Sequence, residues 1–164
     1  MSALLSAMDF NNPGLEILTL KKEVHLVRLA FHQSLPSAFG VDGAESPGHF
    51  HSVTRTPEET SVLTSYELGQ LDESSKREGP FKLLRMRGPL PLGMLNVLSQ
   101  FSAALGNAGV SILAFSTYDT DYVAVKQHQY RAAWLALEKA GWKMAWAAEG
   151  DHDSPWESHG NVKA

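Results

Sequence analysis

The sequence predicts an α+β fold centred on residues 80–146, and three observations predict it. Residues 110–116 are short, apolar and rich in β-favouring side chains. They lead through polar Tyr118-Asp119-Thr120-Asp121 into residues 122–126, which reads as a hairpin closed by a tight turn. Upstream, Leu95, Leu98, Phe101, Leu105 and Ala108 recur at three- and four-residue steps, the spacing of a helix with one buried face. Downstream, Tyr130, Trp134, Leu137 and Ala140 repeat that spacing. Pro91 suits the first turn of the first helix and Gly109 its end, and Gly141 stops the second. With residues 81–87 and 142–146 as outer strands, the order is β-α-β-β-α-β, the split-βαβ or ferredoxin-like layout.

The remaining segments are less regular. Residues 1–14 read as a mobile lead-in that ends at the break Asn11-Asn12-Pro13-Gly14. Residues 15–20 and 24–30 are strand candidates on either side of Lys21-Lys22-Glu23. Residues 32–49 are rich in Pro, Gly, Ser and Ala and predict a loop or a brief helical turn. Residues 50–55 and 59–64 predict a hairpin about Thr56-Pro57-Glu58. Charge and small residues in Asp72-Glu73-Ser74-Ser75-Lys76-Arg77-Glu78-Gly79 predict a linker. The expected organisation is a strand-rich, helix-poor half at 15–66, a linker at 67–79, a full βαββαβ half at 80–146 and a flexible tail at 147–164. Halves of this size bury too little surface to stand alone, so they are expected to fold together.

Composition narrows the function. The chain has 164 residues, 43% apolar content and a net charge of −4, with no long basic run, which argues against a nucleic-acid or anionic-membrane surface. It has no cysteine, so disulfides, thiolate metal sites and cysteine nucleophiles are excluded. No apolar stretch approaches the roughly 20 residues that span a bilayer. The first ten residues lack the basic start and long apolar core of a signal peptide, and a cytoplasmic protein is expected. The histidine spacings match no zinc pattern, so no metal site is expected. No phosphate loop or nucleophile elbow appears, and no cofactor is expected.

Two stretches carry a family resemblance. Gly88-Pro89-Leu90-Pro91-Leu92, Ala108-Gly109-Val110-Ser111-Ile112 and Ser116-Thr117-Tyr118-Asp119-Thr120-Asp121-Tyr122 form the first. Phe50-His51-Ser52-Val53-Thr54-Arg55-Thr56-Pro57-Glu58-Glu59 forms the second. Residues 81–144 resemble an ACT domain, a small regulatory module that binds amino acids. The chain is most similar to the paired-ACT branch that includes the CASTOR-type sensors. The resemblance implies two ferredoxin-like ACT halves, the N-terminal one degenerate, and a small ligand, an amino acid, held where the halves meet. It implies a sensor or regulatory subunit without catalysis, and a homodimer or a protein partner. The alternatives are an interaction scaffold with a vestigial cleft and a stand-alone regulatory module of a metabolic enzyme. A small enzyme using Asp119 and Asp121 is the remaining one.

Read by chemistry alone, Asp119 and Asp121 fit two roles: ordinary turn residues, or carboxylates that bind a ligand ammonium. The resemblance implies the second role for Asp121. Pro89, Leu90, Leu92 and Gly93 precede a helix whose free N–H groups suit a carboxylate, and the prolines leave the usable donors from Leu92 onward. Met94 stands where the resemblance places a glutamate facing an arginine ligand. A thioether cannot neutralise a guanidinium, so an apolar or small polar side chain is expected there instead. Ser116 and Thr117 complete the ammonium end, and Ser52, Val53 and Thr54 are expected to face the ligand side chain from the other half. Arg85 and Arg87 share one face of a strand and are expected to be solvated, or to pair across a dimer.

Overall fold

The computed structural model describes residues 8–30, 33–35, 49–67, 69 and 71–147. Of the tail expected at 147–164 only Ala147 lies within these residues, where it is buried and donates its N–H to Thr19 O; all of the loop expected at 32–49 except residues 33–35 and 49 lies outside them. The described chain falls into two compact units: residues 8–21 with 82–147, and residues 22–81. Each is described by itself.

The first unit contains β1 (Ile17–Thr19), the C-terminal part of β5 (Lys76–Met86), α1 (Val97–Asn107), β6 (Ile112–Ser116), β7 (Asp121–Lys126), α2 (Tyr130–Lys139) and β8 (Met144–Trp146). From β5 onward this is the expected βαββαβ order. β6 and β7 form the hairpin, with Ile112 opposite Val125 and Ser116 opposite Asp121, and β7 also pairs with β5. The sheet has one strand more than the order predicts. β1 inserts between β5 and β8, antiparallel to the first through Ile17 and Met86 and parallel to the second through Ile17 and Met144.

Helix-facing residues of this sheet meet α1 and α2 in one core that contains Ile17, Leu84, Met86, Val123 and Val125. From α1 come Val97, Phe101 and Leu105, and from α2 Ala133 and Leu137, each set at four-residue steps. Burying a side chain such as Phe101 or Leu105 is worth about 1.5–3 kcal/mol, and this packing fixes where the helices lie. Met8 and Phe10 pack on the same core, and the Phe10 ring meets Trp142 edge-on at 5.3 Å. From residue 8 the chain is therefore packed structure rather than the lead-in expected. Asn12 accepts from Gly14 N–H and caps a 3-10 turn, Pro13–Leu15, where a break was expected.

Both helix ends fall where glycine places them. Gly109 has φ +69°, a conformation that suits a residue without a side chain. Val110 N–H donates to Leu105 O and Gly109 N–H to Gly106 O, so these two carbonyls of the last turn of α1 are satisfied. Trp142 N–H and Gly141 N–H close α2 in the same way on Leu137 O and Glu138 O.

The start of α1 corrects the sequence reading. Pro91 is not in its first turn. Residues 91–94 close a separate turn, with Met94 N–H donating to Pro91 O at 2.8 Å, and Asn96 is left-handed at φ 65°. The helix begins at Val97, the first residue of the buried face, and Leu95 is 69% exposed. Asparagine tolerates the left-handed region, so the chain can change direction there.

The second unit contains β2 (Val24–Leu29), β3 (His51–Arg55), β4 (Thr60–Thr64) and the start of β5. β3 and β4 form the hairpin expected about residues 56–58, with Val53 opposite Val62. β4 pairs antiparallel with β2, and β2 with β5 through Val24 and Phe81 and through Arg28 and Lys76. Lys76, Arg77, Glu78 and Gly79 are therefore strand, although their composition reads as linker. Val27, Leu29 and Val62 form the unit's small core. Among the described residues, no helix is long and apolar enough to cross a membrane.

Candidate functional site

The ends of two segments of the first unit face each other across a cleft of about 220 Å³. One wall is the stretch between β5 and α1, contributing Leu90, Pro91, Leu92 and Met94. The other is the β6–β7 turn, contributing Ser116, Thr117, Tyr118, Thr120 and Asp121. Val97, the first residue of α1, also lines it.

The two walls are tied together at the base. Leu90 N–H donates to Asp119 O at 2.8 Å, and Thr120 Oγ1 donates to Met86 O at 2.6 Å. Gly88 lies against the same turn at φ +68°, where an added Cβ would stand 3.1 Å from Asp119 O and 3.2 Å from Thr120 Cβ. The turn is also held within itself: Thr117 N–H and Thr117 Oγ1 both donate to Thr120 O. On the far side, Gly88 N–H donates to Gly14 O and Arg87 N–H to Glu16 O. The Arg87 guanidinium pairs with the Glu16 carboxylate, Nε to Oε2 at 2.6 Å. Arg87 therefore has an intramolecular partner, and Arg85 is buried at 6% exposure; neither forms the solvated face expected of them.

At the polar end of the cleft, Ser116 Oγ donates to Asp121 Oδ1 at 2.5 Å. Asp121 is the first residue of β7 and Ser116 the last of β6, so strand pairing sets the contact. One hydrogen bond leaves most of a carboxylate's acceptor sites available. At the other end, the first intrahelical bond of α1 is Gln100 N–H to Asn96 O. The amides of Val97, Leu98 and Ser99 have no acceptor within the helix, and Asn96 makes no side-chain cap to them. Met94 is half-buried and packs on the helix core beside the cleft.

The cleft thus gathers Leu90, Leu92, Met94, Ser116, Thr117 and Asp121 of the residues expected to form a site. Pro89, Gly93 and Asp119 lie in the same two segments but do not line it; Asp119 contributes its carbonyl to the wall-to-wall bond. The donors expected from Leu92 onward begin instead at Val97, because the helix does. Ser52, Val53 and Thr54 lie on β3 of the second unit, opposite Leu63, Val62 and Ser61. Pro91, Val97, Tyr118 and Thr120 line the cleft without having been expected to. Alternation within the turn could have indicated Tyr118 and Thr120, whereas Val97 depends on where the helix starts.

The histidines make different contacts. His49 stacks on Tyr66 with ring centroids 4.2 Å apart, and its Nδ1 is 3.5 Å from Ser65 Oγ. Among the described residues, no three His, Cys, Asp or Glu side chains come together as metal ligands.

Comparison with known proteins covers both the site and the fold. Residues 77–139, which include every residue lining the cleft, match the family model described as ACT domain. No curated protein sequence matches. Among solved structures, the chain is similar to a protein from Agrobacterium tumefaciens, 20% identical at a TM-score of 0.65, covering 81% of this chain and 93% of that one. It is similar to a Vibrio cholerae protein described as a possible transport protein, 15% identical at a TM-score of 0.51, covering 77% and 91%. It is also similar to the regulatory subunit of aspartate kinase from Thermus flavus, 11% identical at a TM-score of 0.50, covering 77% and 97%. These likenesses, at 20% identity or less, show the fold alone, an α+β arrangement with the ferredoxin-like order from β5 to β8.

Proposed function

We propose that this protein is a non-catalytic regulatory or sensor protein that binds a free amino acid in the cleft between residues 90–97 and 116–121. One observation carries the reading: a single cleft brings together a carboxylate, Asp121, an apolar surface and Val97, the first residue of α1. A free amino acid carries an ammonium, a carboxylate and a side chain. Asp121 suits the ammonium through a charge-assisted hydrogen bond. The amides that open α1 at Val97 suit the carboxylate. Met94 and Leu90 offer apolar surface to a side chain of Val, Leu or Met size.

The ACT domain match over residues 77–139 supports a regulatory, ligand-binding role. The aspartate kinase regulatory subunit shows the same fold in a protein named for regulation. Within that frame we place the chain with the paired-ACT, CASTOR-type amino-acid sensors, as a cytoplasmic protein. We also place it as a homodimer. Among the described residues β6 pairs only with β7, which leaves an uncharged strand edge of the kind that invites pairing.

A thermal-shift screen of the full chain against the twenty amino acids tests the reading, because a ligand of the native state raises the melting temperature. An apolar amino acid should give the largest rise. Calorimetry on Asp121→Asn should then show binding weakened by about 1.5–3 kcal/mol, since the shape is kept and the charge removed. No rise with any amino acid, or unchanged affinity in Asp121→Asn, would overturn it.

A further inference from the structure

Five large apolar side chains are strongly exposed among the described residues, and two of them line one cleft: Leu92 at 82% and Tyr118 at 82%. Leu95, 69% exposed, sits in the same segment as Leu92 but does not line the cleft, and neither do Leu135 on α2 and Trp146 on β8. Leu92 and Tyr118 stand on opposite walls. Large exposed apolar side chains on both walls of one opening offer a surface that a bound group or a neighbouring segment can cover.

The segment that carries the two leucines is held mainly at its ends. It is anchored at one end by Leu90 N–H on Asp119 O, and at the other by Asn96 O, which accepts from Ser99 Oγ and Gln100 N–H at 3.0 Å each. Between these anchors the backbone holds one bond of its own, Met94 N–H to Pro91 O. A side-chain atom added at Gly93 would meet nothing within 4 Å, so the chain there stands clear of its surroundings. Met94 packs on the core in the middle of the segment and serves as its pivot.

We infer that residues 91–96 are a lid that closes Leu92 onto Tyr118 over an occupant of the cleft. In the open form the two side chains meet water. With an apolar group between Met94 and Val97 below, closure buries Leu92, Tyr118 and that group together. Closure also removes water from the Asp121 end, where a charge-assisted bond then gains strength. The lid makes the retention of a ligand depend on whether its side chain fills the space beneath Leu92, so the segment sets selectivity as well as residence time. That the occupant is an amino acid rests on the function proposed above; the closure itself does not.

The chain has no cysteine, so a pair of introduced cysteines reports closure without competition. The full-length Leu92→Cys, Tyr118→Cys double variant is exposed to a mild oxidant at low protein concentration and analysed by non-reducing mass spectrometry. A disulfide needs Cα atoms within about 4.4–6.8 Å, so its formation reports that the two walls come that close. The expected product is the intramolecular disulfide. Disulfides only between two chains, or none while each thiol still reacts with an alkylating reagent, would overturn the lid; the first result would mean that a second copy covers the mouth. The oxidation is repeated with L-leucine, L-methionine and L-valine, at least one of which should accelerate ring closure. If the disulfide forms at a rate that no amino acid changes, the lid stands and the amino-acid reading falls. For the amino acid that does accelerate it, Leu92→Ser should bind about tenfold more weakly at unchanged melting temperature of the free protein. Unchanged affinity there would remove Leu92 from the lid.

Discussion

Thr19 Oγ1 and Tyr130 Oη lie 2.9 Å apart although 111 residues separate them. The hydrogen bond joins the inserted strand β1 to the first residue of α2, and burial pushes the Tyr130 phenol above its usual pKa against the opposing effect of that bond. Thr19, Ile17 and Leu18 are all but fully buried. Residues 80–147 therefore contain the expected βαββαβ order and still lack the strand that joins β5 to β8. Ile17 and Leu18 each contribute about 1.5–3 kcal/mol, a large share of the roughly 5–15 kcal/mol that holds a domain folded. A fragment of residues 80–147 should be poorly folded by circular dichroism and NMR. Adding a peptide of residues 12–21 should restore dispersed spectra. A well-dispersed spectrum without the peptide would show that β1 is dispensable.

Gly88 sets the spacing between the walls of the cleft. Its φ of +68° disfavours any side chain, and a Cβ would press on Asp119 O and Thr120 Cβ. Gly88→Ala should lose about 1–3 kcal/mol in chemical denaturation, from backbone strain together with displacement of the turn. The displacement should also appear in amide exchange, with faster exchange at Leu90, whose N–H bonds the turn. Loss of stability with Leu90 protection unchanged would place the strain elsewhere.

The parts of the fold legible in the sequence are local. The β6–β7 hairpin, the two glycine helix stops and the residue 56–58 hairpin each follow from neighbours in the chain, and all occur where composition places them. What was not legible depends on distant partners. β1 could be expected as a strand, but nothing near Ile17 says that it lies between β5 and β8. Lys76–Gly79 is charged and small like a linker, and is strand because Leu26 and Arg28 of β2 pair with it. The start of α1 was misplaced because Pro91 resembles a first-turn residue and Leu95 continues the helical spacing. A left-handed Asn96 has no signature strong enough to override them. The same shift moved the expected amide donors from Leu92 to Val97, whereas Asp121 and Ser116 kept their places because hairpin register fixes both.

Two histidines of the second unit should make its stability depend on pH. The His25 pKa is lowered, first by burial and then by the Arg77 guanidinium, against the opposing pull of Glu23. That of His49 is lowered by burial and by Lys22, against a hydrogen bond at Ser65. A base with a lowered pKa in the fold binds fewer protons there than in the unfolded chain. Stability therefore falls as pH drops below the ordinary histidine value of 6.5, and the loss is complete below the folded-state pKa. The melting temperature should fall between about pH 7.5 and pH 5.5, a range in which ordinary carboxylates hardly titrate. His25→Gln should flatten the slope. An equal slope in His25→Gln and wild type would assign the effect to other groups.

Met94 is the residue that should set which side chain the cleft accepts. Its thioether packs on the helix core while lining the cleft, so the group it faces is offered apolar, polarisable surface and no charge. The cleft holds one carboxylate, Asp121, and Ser116 already donates to it. An amino acid oriented with its ammonium at Asp121 would leave a basic side chain without a partner, and an unpaired charge taken out of water costs several kcal/mol. Arginine and lysine should therefore bind far more weakly than leucine or methionine. Met94→Glu should reverse the order, because the new carboxylate can pair with the cation and is itself costly beside an apolar ligand. Isothermal calorimetry of wild type and Met94→Glu against L-leucine, L-methionine, L-lysine and L-arginine measures both. Preference for arginine in wild type, or no change of order in the variant, would mean that the ligand side chain lies away from Met94.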